Sequence, residues 1–118
     1  MIGDTDFFVD LMRTGRPYYE RAVAKATELE ERQVRLALTA PTRFELFVGV
    51  HRSIDSEAER TRVGRLLRAY PTYSLDGRAA DRAGAIAGTL RAGGRLLGAV
   101  DALIAGIALE NREELLTR

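Results

Sequence analysis

The sequence contains no cysteine and no tryptophan, and it has one histidine, His51, and one lysine, Lys25. The absence of cysteine excludes disulfide bonds, a thiolate nucleophile and cysteine-based zinc sites. A single histidine excludes any site that needs two imidazoles. No apolar run is long enough to cross a bilayer, and acids rather than bases follow Met1, unlike in a signal peptide. We therefore expect a cytoplasmic protein with no membrane segment.

The composition is that of one globular domain covering residues 1–118. Hydrophobic residues make up 46% of the chain and charged residues 30%, with a net charge of +1. This mixture argues against a disordered chain, and the small net charge provides no overall attraction for nucleic acid. Short apolar runs alternate with longer amphipathic stretches, which predicts an α/β fold with a short central parallel sheet flanked by helices.

Several local patterns place the elements of this fold. Strands are predicted at 1–3, 34–38, 71–75 and 115–117, with helices between them. Thr42 and Glu45 have the spacing of a capping box at the start of one helix, and Ser56 and Glu59 repeat it at the next. The stretch 100–109 is apolar on all sides after Asp101, which predicts a helix buried on every side.

Three carboxylates, Asp4, Glu45 and Asp101, are the candidate site residues. Asp4 follows the first strand, Glu45 is predicted in the first turn of the helix after the second strand, and Asp101 opens the apolar helix. Sites in open parallel sheets lie beyond the carboxyl ends of the strands, so these three side chains can converge there. Clustered carboxylates repel one another and need a cation. Oxygen ligands without cysteine favour Mg²⁺ or Mn²⁺.

Each of the three acids also has a purely structural interpretation. Asp4 can cap the first helix, Glu45 can return a hydrogen bond to the capping residue Thr42, and Asp101 can interact with the dipole of its helix. His51 is interpreted as packing or capping near the end of its helix. None of the single signals is specific, and the local sequence leaves these alternatives open.

Four segments, taken in order, resemble a known family. They are Asp-Thr-Asp at 4–6, Phe-Glu-Leu-x-x-Gly at 44–49, Asp-Ala-Leu-Ile-Ala at 101–105 and Leu-Leu-Thr-Arg at 115–118. This series resembles PIN-domain proteins, specifically the VapC toxins of VapBC toxin–antitoxin pairs. The resemblance spans essentially the whole chain. The family pattern continues beyond Arg118 into a fourth acidic position and a closing strand, which this sequence does not include.

The resemblance implies a PIN-like three-layer fold and a Mg²⁺-dependent endoribonuclease. Asp4 and Asp101 would then be the main metal ligands and Glu45 the third catalytic acid, with Asp6 and Thr117 as possible auxiliary residues. The implied partners are a VapB-like antitoxin, an RNA substrate and a second copy of the chain, the last through helices at 44–52 and 56–70. Candidates for phosphate contacts are Arg13, Arg16, Arg43, Arg60, Arg62, Arg65 and Arg68.

Two other functions fit parts of the same pattern. A phospho-acceptor receiver domain also has an acidic Mg²⁺ pocket, but it needs a lysine after its last strand, and Lys25 lies in an early helix. A PIN-like module that has lost catalysis and serves in binding or regulation is the closer alternative. A metal-dependent RNA cleavage assay separates this module from the enzyme.

Overall fold

The computed structural model describes all residues from 1 to 118, which form six helices and four strands of two residues each. In chain order the elements are β1 (Ile2–Gly3), α1 (Thr5–Met12), α2 (Tyr19–Glu31), β2 (Leu38–Thr39), α3 (Ala40–Arg52), α4 (Ser56–Ala69), β3 (Thr72–Tyr73), α5 (Gly77–Ala92), α6 (Ala99–Glu110) and β4 (Leu115–Leu116).

The strands form two parallel pairs, β1 with β4 and β2 with β3. A single parallel bridge between Ile2 and Ala37 joins the pairs, so the order across the sheet is β3-β2-β1-β4. The strands are shorter than predicted, and β2 begins where the predicted 34–38 strand ends. Because all the strands are parallel, their carboxyl ends lie at one edge of the sheet, where Asp4 follows β1 and Thr117 follows β4.

Two apolar clusters form the core, and they match the predicted fold class of a short parallel sheet between helices. The larger cluster is built around Phe8 and Leu38, with side chains from α1, α2, α3 and α4. The smaller one places Ile2 of β1 against α5 and α6. Gly3, the last residue of β1, allows α1 to pack closely, because a Cβ there would lie 2.7 Å from the ring of Phe8.

Two of the predicted helix caps are wrong by one to three residues. The N-cap of α3 is Thr39, whose hydroxyl accepts a hydrogen bond from Thr42 N–H at 3.3 Å, so Thr42 lies inside the helix. The N-cap of α4 is Asp55, whose carboxylate accepts from Ala58 N–H at 3.1 Å. In both cases a second capping residue stands just before the predicted one, and the spacing rule alone does not choose between them.

Helix α6 is only partly enclosed, which corrects the prediction of a helix buried on every side. Ile104 and Ile107 are fully covered by the smaller cluster, whereas Leu109 is 53% exposed. The covered face packs closely on α5: a Cβ at Gly106 would lie 2.8 Å from Cβ of Ala83 and closer still to the carbonyl of Ala79. None of the six helices combines the length and apolar composition needed to span a bilayer.

Candidate metal centre

Asp4 performs two roles at the carboxyl end of β1. Its backbone is extended, and its Oδ1 accepts a hydrogen bond from Phe7 N–H at 2.8 Å, which makes it the N-cap of α1. Burial raises the pKa of the Asp4 carboxyl; the bond from Phe7 lowers it, repulsion from Asp6 and Asp101 raises it, and the net shift is upward. The capping interpretation is therefore confirmed, but it uses only one carboxylate oxygen and leaves the repulsion between the acids in place.

Glu45 lies deeper in α3 than predicted. The helix begins at Ala40, so Glu45 is its sixth residue and does not belong to the first turn. The capping-box interpretation of Glu45 is wrong, because Thr39 takes the capping position. Glu45 is half-buried, and its carboxylate has neither a hydrogen bond nor an ion pair within the chain. A half-buried carboxylate without a structural partner is a candidate for a functional role.

A chain of threonine hydroxyls joins the start of α3 to the start of α1. Thr39 and Thr42 are fully buried, and their hydroxyl oxygens lie 3.2 Å apart. The Thr42 hydroxyl is also 3.1 Å from the hydroxyl of Thr5, the residue after Asp4. This contact fixes the helix that carries Glu45 beside the turn that carries Asp4. The capping spacing of Thr42 in the sequence gives no sign of this contact between the two helices.

Asp101 stands in the first turn of α6 on an exposed surface. The N-cap of α6 is Gly98, which has no side chain to bond, and Asp101 makes no capping bond itself. Its charge nevertheless contributes to raising the pKa of Asp4, which places the two carboxylates within electrostatic range of each other. Helix α6 packs against α3, so the helices that carry Asp101 and Glu45 are neighbours.

The auxiliary residues Asp6 and Thr117 lie beside a buried, ion-paired acid that the sequence did not reveal. Asp10, one turn after Asp6 in α1, is 2% exposed and is bound by Arg16 and by Arg118. Burial alone would raise the pKa of Asp10, but the hydrogen bonds from Arg118 and Arg16 outweigh it and lower that pKa. Thr117 is exposed and lines a cavity of about 360 Å³ together with Asp10 and Arg118.

Most of the arginines predicted for phosphate contact have partners within the chain. Glu59, predicted as an ordinary acid of a helix start, is buried and bound by Arg13 at 2.6 Å and Arg62 at 2.9 Å. Arg16 is bound to Asp10, and Arg43 donates to Thr72 at 3.3 Å. Only Arg60, Arg65 and Arg68 of the predicted set have no such partner. Sequence spacing gave no sign of the contact from Arg13 to Glu59, which spans 46 residues.

The donor set fits a hard divalent cation held mainly through water. No group of three or more histidine, aspartate or glutamate side chains lies close enough together to bind one ion. Asp6 and Asp101 nevertheless each repel the carboxylate of Asp4 at the carboxyl edge of the sheet. Mg²⁺ is usually bound through one or two carboxylates and keeps several waters, so two of these side chains are sufficient. The assignment of Glu45 as a third ligand remains a prediction.

Comparison with known proteins assigns the fold to a class. The PIN domain family matches residues 1–118, and the chain belongs to that family. No curated protein matches the sequence.

Among solved structures, the chain is similar to VapBC from Salmonella typhimurium bound to DNA, with a TM-score of 0.83, 21% identity, and coverage of 98% of this chain and 83% of that one. It is similar to a toxin–antitoxin complex from Klebsiella pneumoniae, with a TM-score of 0.69, 26% identity, and coverage of 99% and 84%. It is also similar to Mycobacterium tuberculosis VapC20, with a TM-score of 0.74, 15% identity, and coverage of 100% and 89%. The resemblance seen in the sequence is thus confirmed for family and fold.

Proposed function

We propose that this protein is a Mg²⁺-dependent endoribonuclease and the toxin of a type II toxin–antitoxin pair. The observation that carries the proposal is the group of acids, Asp4, Asp6 and Asp101, at the carboxyl edge of a PIN-domain sheet. Asp6 and Asp101 both raise the pKa of Asp4, so the folded chain holds like charges together at one place. Such an arrangement costs stability unless a cation or a ligand compensates for it.

In this mechanism Asp4 and Asp101 would hold the metal ion, with Asp6 close by. The chemistry that Mg²⁺ would supply there is a lower pKa for a water molecule and compensation of the negative charge that develops on the phosphate. Glu45 has no structural partner, so its carboxylate is available to take the proton from the attacking water. The proton then resides on Glu45 until it is passed to solvent.

The similar structures support RNA as the substrate and an antitoxin as the partner. VapC20 is a toxin that cleaves the sarcin-ricin loop, and the Klebsiella pneumoniae structure is a toxin–antitoxin complex. By analogy, a VapB-like antitoxin is expected to cover the acidic edge. The transfer of substrate and partner from these structures to this chain rests on shared fold and family, because the sequence identities are low.

A homodimer is the second expected assembly. Phe44 is 64% exposed and Val48 is 39% exposed, one turn apart on the outer face of α3. Exposed apolar side chains at this spacing suit a helix-to-helix contact with a second copy. Phe44→Arg should therefore shift the molecular mass in light scattering from dimer to monomer. A wild-type protein that is monomeric at high concentration would contradict the proposed dimer.

Cleavage of a labelled RNA by the purified protein, with Mg²⁺ and with a chelator, tests the enzymatic proposal. We expect cleavage only with the metal. Glu45→Gln should remove most of the activity, because it removes the proposed proton acceptor, whereas Asp4 and Asp101 remain to hold the metal. A protein that binds RNA and Mg²⁺ without cutting would instead support the non-catalytic PIN-like module.

A further inference from the structure

The side chain of Arg118 is fixed beside the acidic edge by three contacts. Its Nε donates to Oδ2 of Asp10 at 3.0 Å, and its Nη2 donates to Oδ1 of the same carboxylate at 3.0 Å. The guanidinium carbon lies 4.8 Å from the centre of the Tyr18 ring. A two-point bond to a carboxylate together with stacking on an aromatic ring defines both the position and the plane of a guanidinium.

Asp10 provides a rigid support for this arrangement. The carboxylate is 2% exposed and also accepts a hydrogen bond from Arg16 Nε at 2.9 Å. Arg16 by itself supplies one positive charge to neutralise Asp10. Asp10 with both arginines therefore carries one net positive charge.

The excess positive charge lies beside the candidate metal centre. Nη2 of Arg118 is 3.9 Å from Oδ1 of Asp6, and its charge opposes the upward shift in the pKa of Asp4. A guanidinium has five N–H donors, and the two bonds to Asp10 use two of them. The Arg118 side chain is 34% exposed, so N–H donors that Asp10 does not use remain accessible to a ligand.

We propose that Arg118 contacts the substrate directly, by donating hydrogen bonds to a phosphate of RNA bound at the acidic edge. Asp10 and Tyr18 act as positioning residues that hold the guanidinium in place. The inference rests on the proposed function, and it adds a residue that the acids alone do not supply. RNA approaching clustered carboxylates meets repulsion, and a fixed guanidinium at 3.9 Å from Asp6 offsets it.

The adjoining cavity extends the same surface away from the acids. Its volume is about 360 Å³, and its lining includes Tyr18, Arg21, Thr117 and Arg118. Arg21 lies 5.6 Å from the Tyr18 ring and has no carboxylate partner. A strand whose phosphate rests on Arg118 therefore passes a second cation as it leaves the acidic edge.

Binding of a fluorescent single-stranded RNA, followed by anisotropy over a range of salt concentrations, tests this proposal. The parent protein for the binding series is the Asp101→Asn variant, so that the RNA is not cut. Arg118→Gln in this parent should weaken binding about tenfold, because one charge-assisted contact is lost. The log–log salt slope should fall by about 0.7 for one phosphate contact to a single strand. Arg118→Lys should recover the slope but only part of the affinity, since it lacks the two-point fork.

Arg82→Gln is the matched control. Arg82 also donates through Nε to a carboxylate, that of Glu110 at 2.5 Å, at the other end of α6 from Asp101. The Arg82→Gln variant loses the same charge far from the acids, so its RNA affinity and its salt slope should both be unchanged. In the cleaving wild-type background, Arg118→Gln should raise KM more than it lowers kcat.

The possible results separate the inference from the proposed function. If wild-type protein cuts RNA and Arg118→Gln binds RNA as Arg82→Gln does, Arg118 is not a substrate contact. If Arg118→Gln changes Mn²⁺ affinity but not the RNA salt slope, Arg118 only balances the acids, and the inference is overturned. If wild-type protein neither binds nor cuts RNA, the proposed function and the inference both fail.

Discussion

Two groups of acids in this protein stand in different surroundings. Asp10 and Glu59 are buried, and each is bound by two arginines. Glu45, in α3, and Asp101, in the first turn of α6, have no cationic partner within the chain. The two buried acids are thus neutralised by arginine, whereas Glu45 and Asp101 are not. The second group is therefore free to interact with a cation or a ligand from outside the chain.

The sharpest test of this comparison removes one acid at the edge. Asp101→Asn should reduce Mg²⁺-dependent RNA cleavage to background, because it removes a charged ligand and keeps the shape. The same change should leave the free energy of unfolding without metal equal or slightly higher, since it relieves repulsion with Asp4. Urea denaturation measures the second effect. The control is Asp81→Asn, on the exposed face of α5, which should change neither quantity.

Removing a paired acid should have the opposite effect on stability. Glu59→Gln breaks the contact with Arg13 that links the end of α1 to α4, and the contact with Arg62 within α4. We expect a loss of about 1 to 3 kcal/mol in the free energy of unfolding, because the side chain is buried and its partners are half-exposed. Glu28→Gln is the control, as Glu28 also binds two cations but on the surface, and it should show no measurable change. Equal stability of the two variants would remove the distinction between the groups.

The threonine contact between α1 and α3 should have an effect on both stability and activity. Thr42→Val keeps the shape of a buried side chain but loses its hydroxyl contacts with Thr5 and Thr39, at a cost of about 1 to 2 kcal/mol in unfolding free energy. Cleavage should fall further than stability explains, because Glu45 shifts relative to Asp4. Thr42→Ser should restore both. Thr61→Val, which loses a surface hydroxyl bond to Glu57, should behave as wild type. A Thr42→Val variant with full activity would show that this contact does not set the site.

The smallest expected effect concerns acid pH. The pKa of Asp10 is lowered in the folded protein from its ordinary value of 3.8. Its ion pairs therefore contribute stability that is complete above the unfolded pKa and is lost as pH falls through the folded one. Unfolding measured in steps from about pH 6 to pH 3 should show a steeper loss for wild type than for Asp10→Asn at the acid end. Parallel curves would mean that Asp10 is not held ionised by its arginines.

The sequence was sufficient for the order of elements and the parallel sheet, and it offered the cap at Asp4 as one of two open interpretations. Each of these depends on local pattern or on neighbours in sequence. It was not sufficient for the caps of α3 and α4, because Thr39 and Thr42, and likewise Asp55 and Ser56, are both competent and stand close together. The strands were predicted too long, since two-residue strands give almost no alternation to read.

The ion pairs in the interior were beyond sequence analysis for a different reason. Arg118 lies 108 residues from Asp10, and no periodicity links them. Glu59 was interpreted from its place near a helix start, whereas its burial depends on α1 packing beside α4. The partial exposure of α6 likewise depends on how many elements cover it. These features belong to tertiary packing, which local composition does not encode.

The close approach at Gly106 has a consequence for the acidic edge. Gly106 is five residues from Asp101 in α6, or about 7.5 Å along a stiff helix. Any side chain at 106 has to push α6 away from the backbone of α5 at Ala79 and Ala83. Asp101 moves with the helix, so the spacing of the acids is set partly by a contact that contains no acid and no hydrogen bond. Helix α5 therefore limits how far α6 can move. The displacement that Asp101 can undergo is set by this contact, on the far side of the helix that carries it.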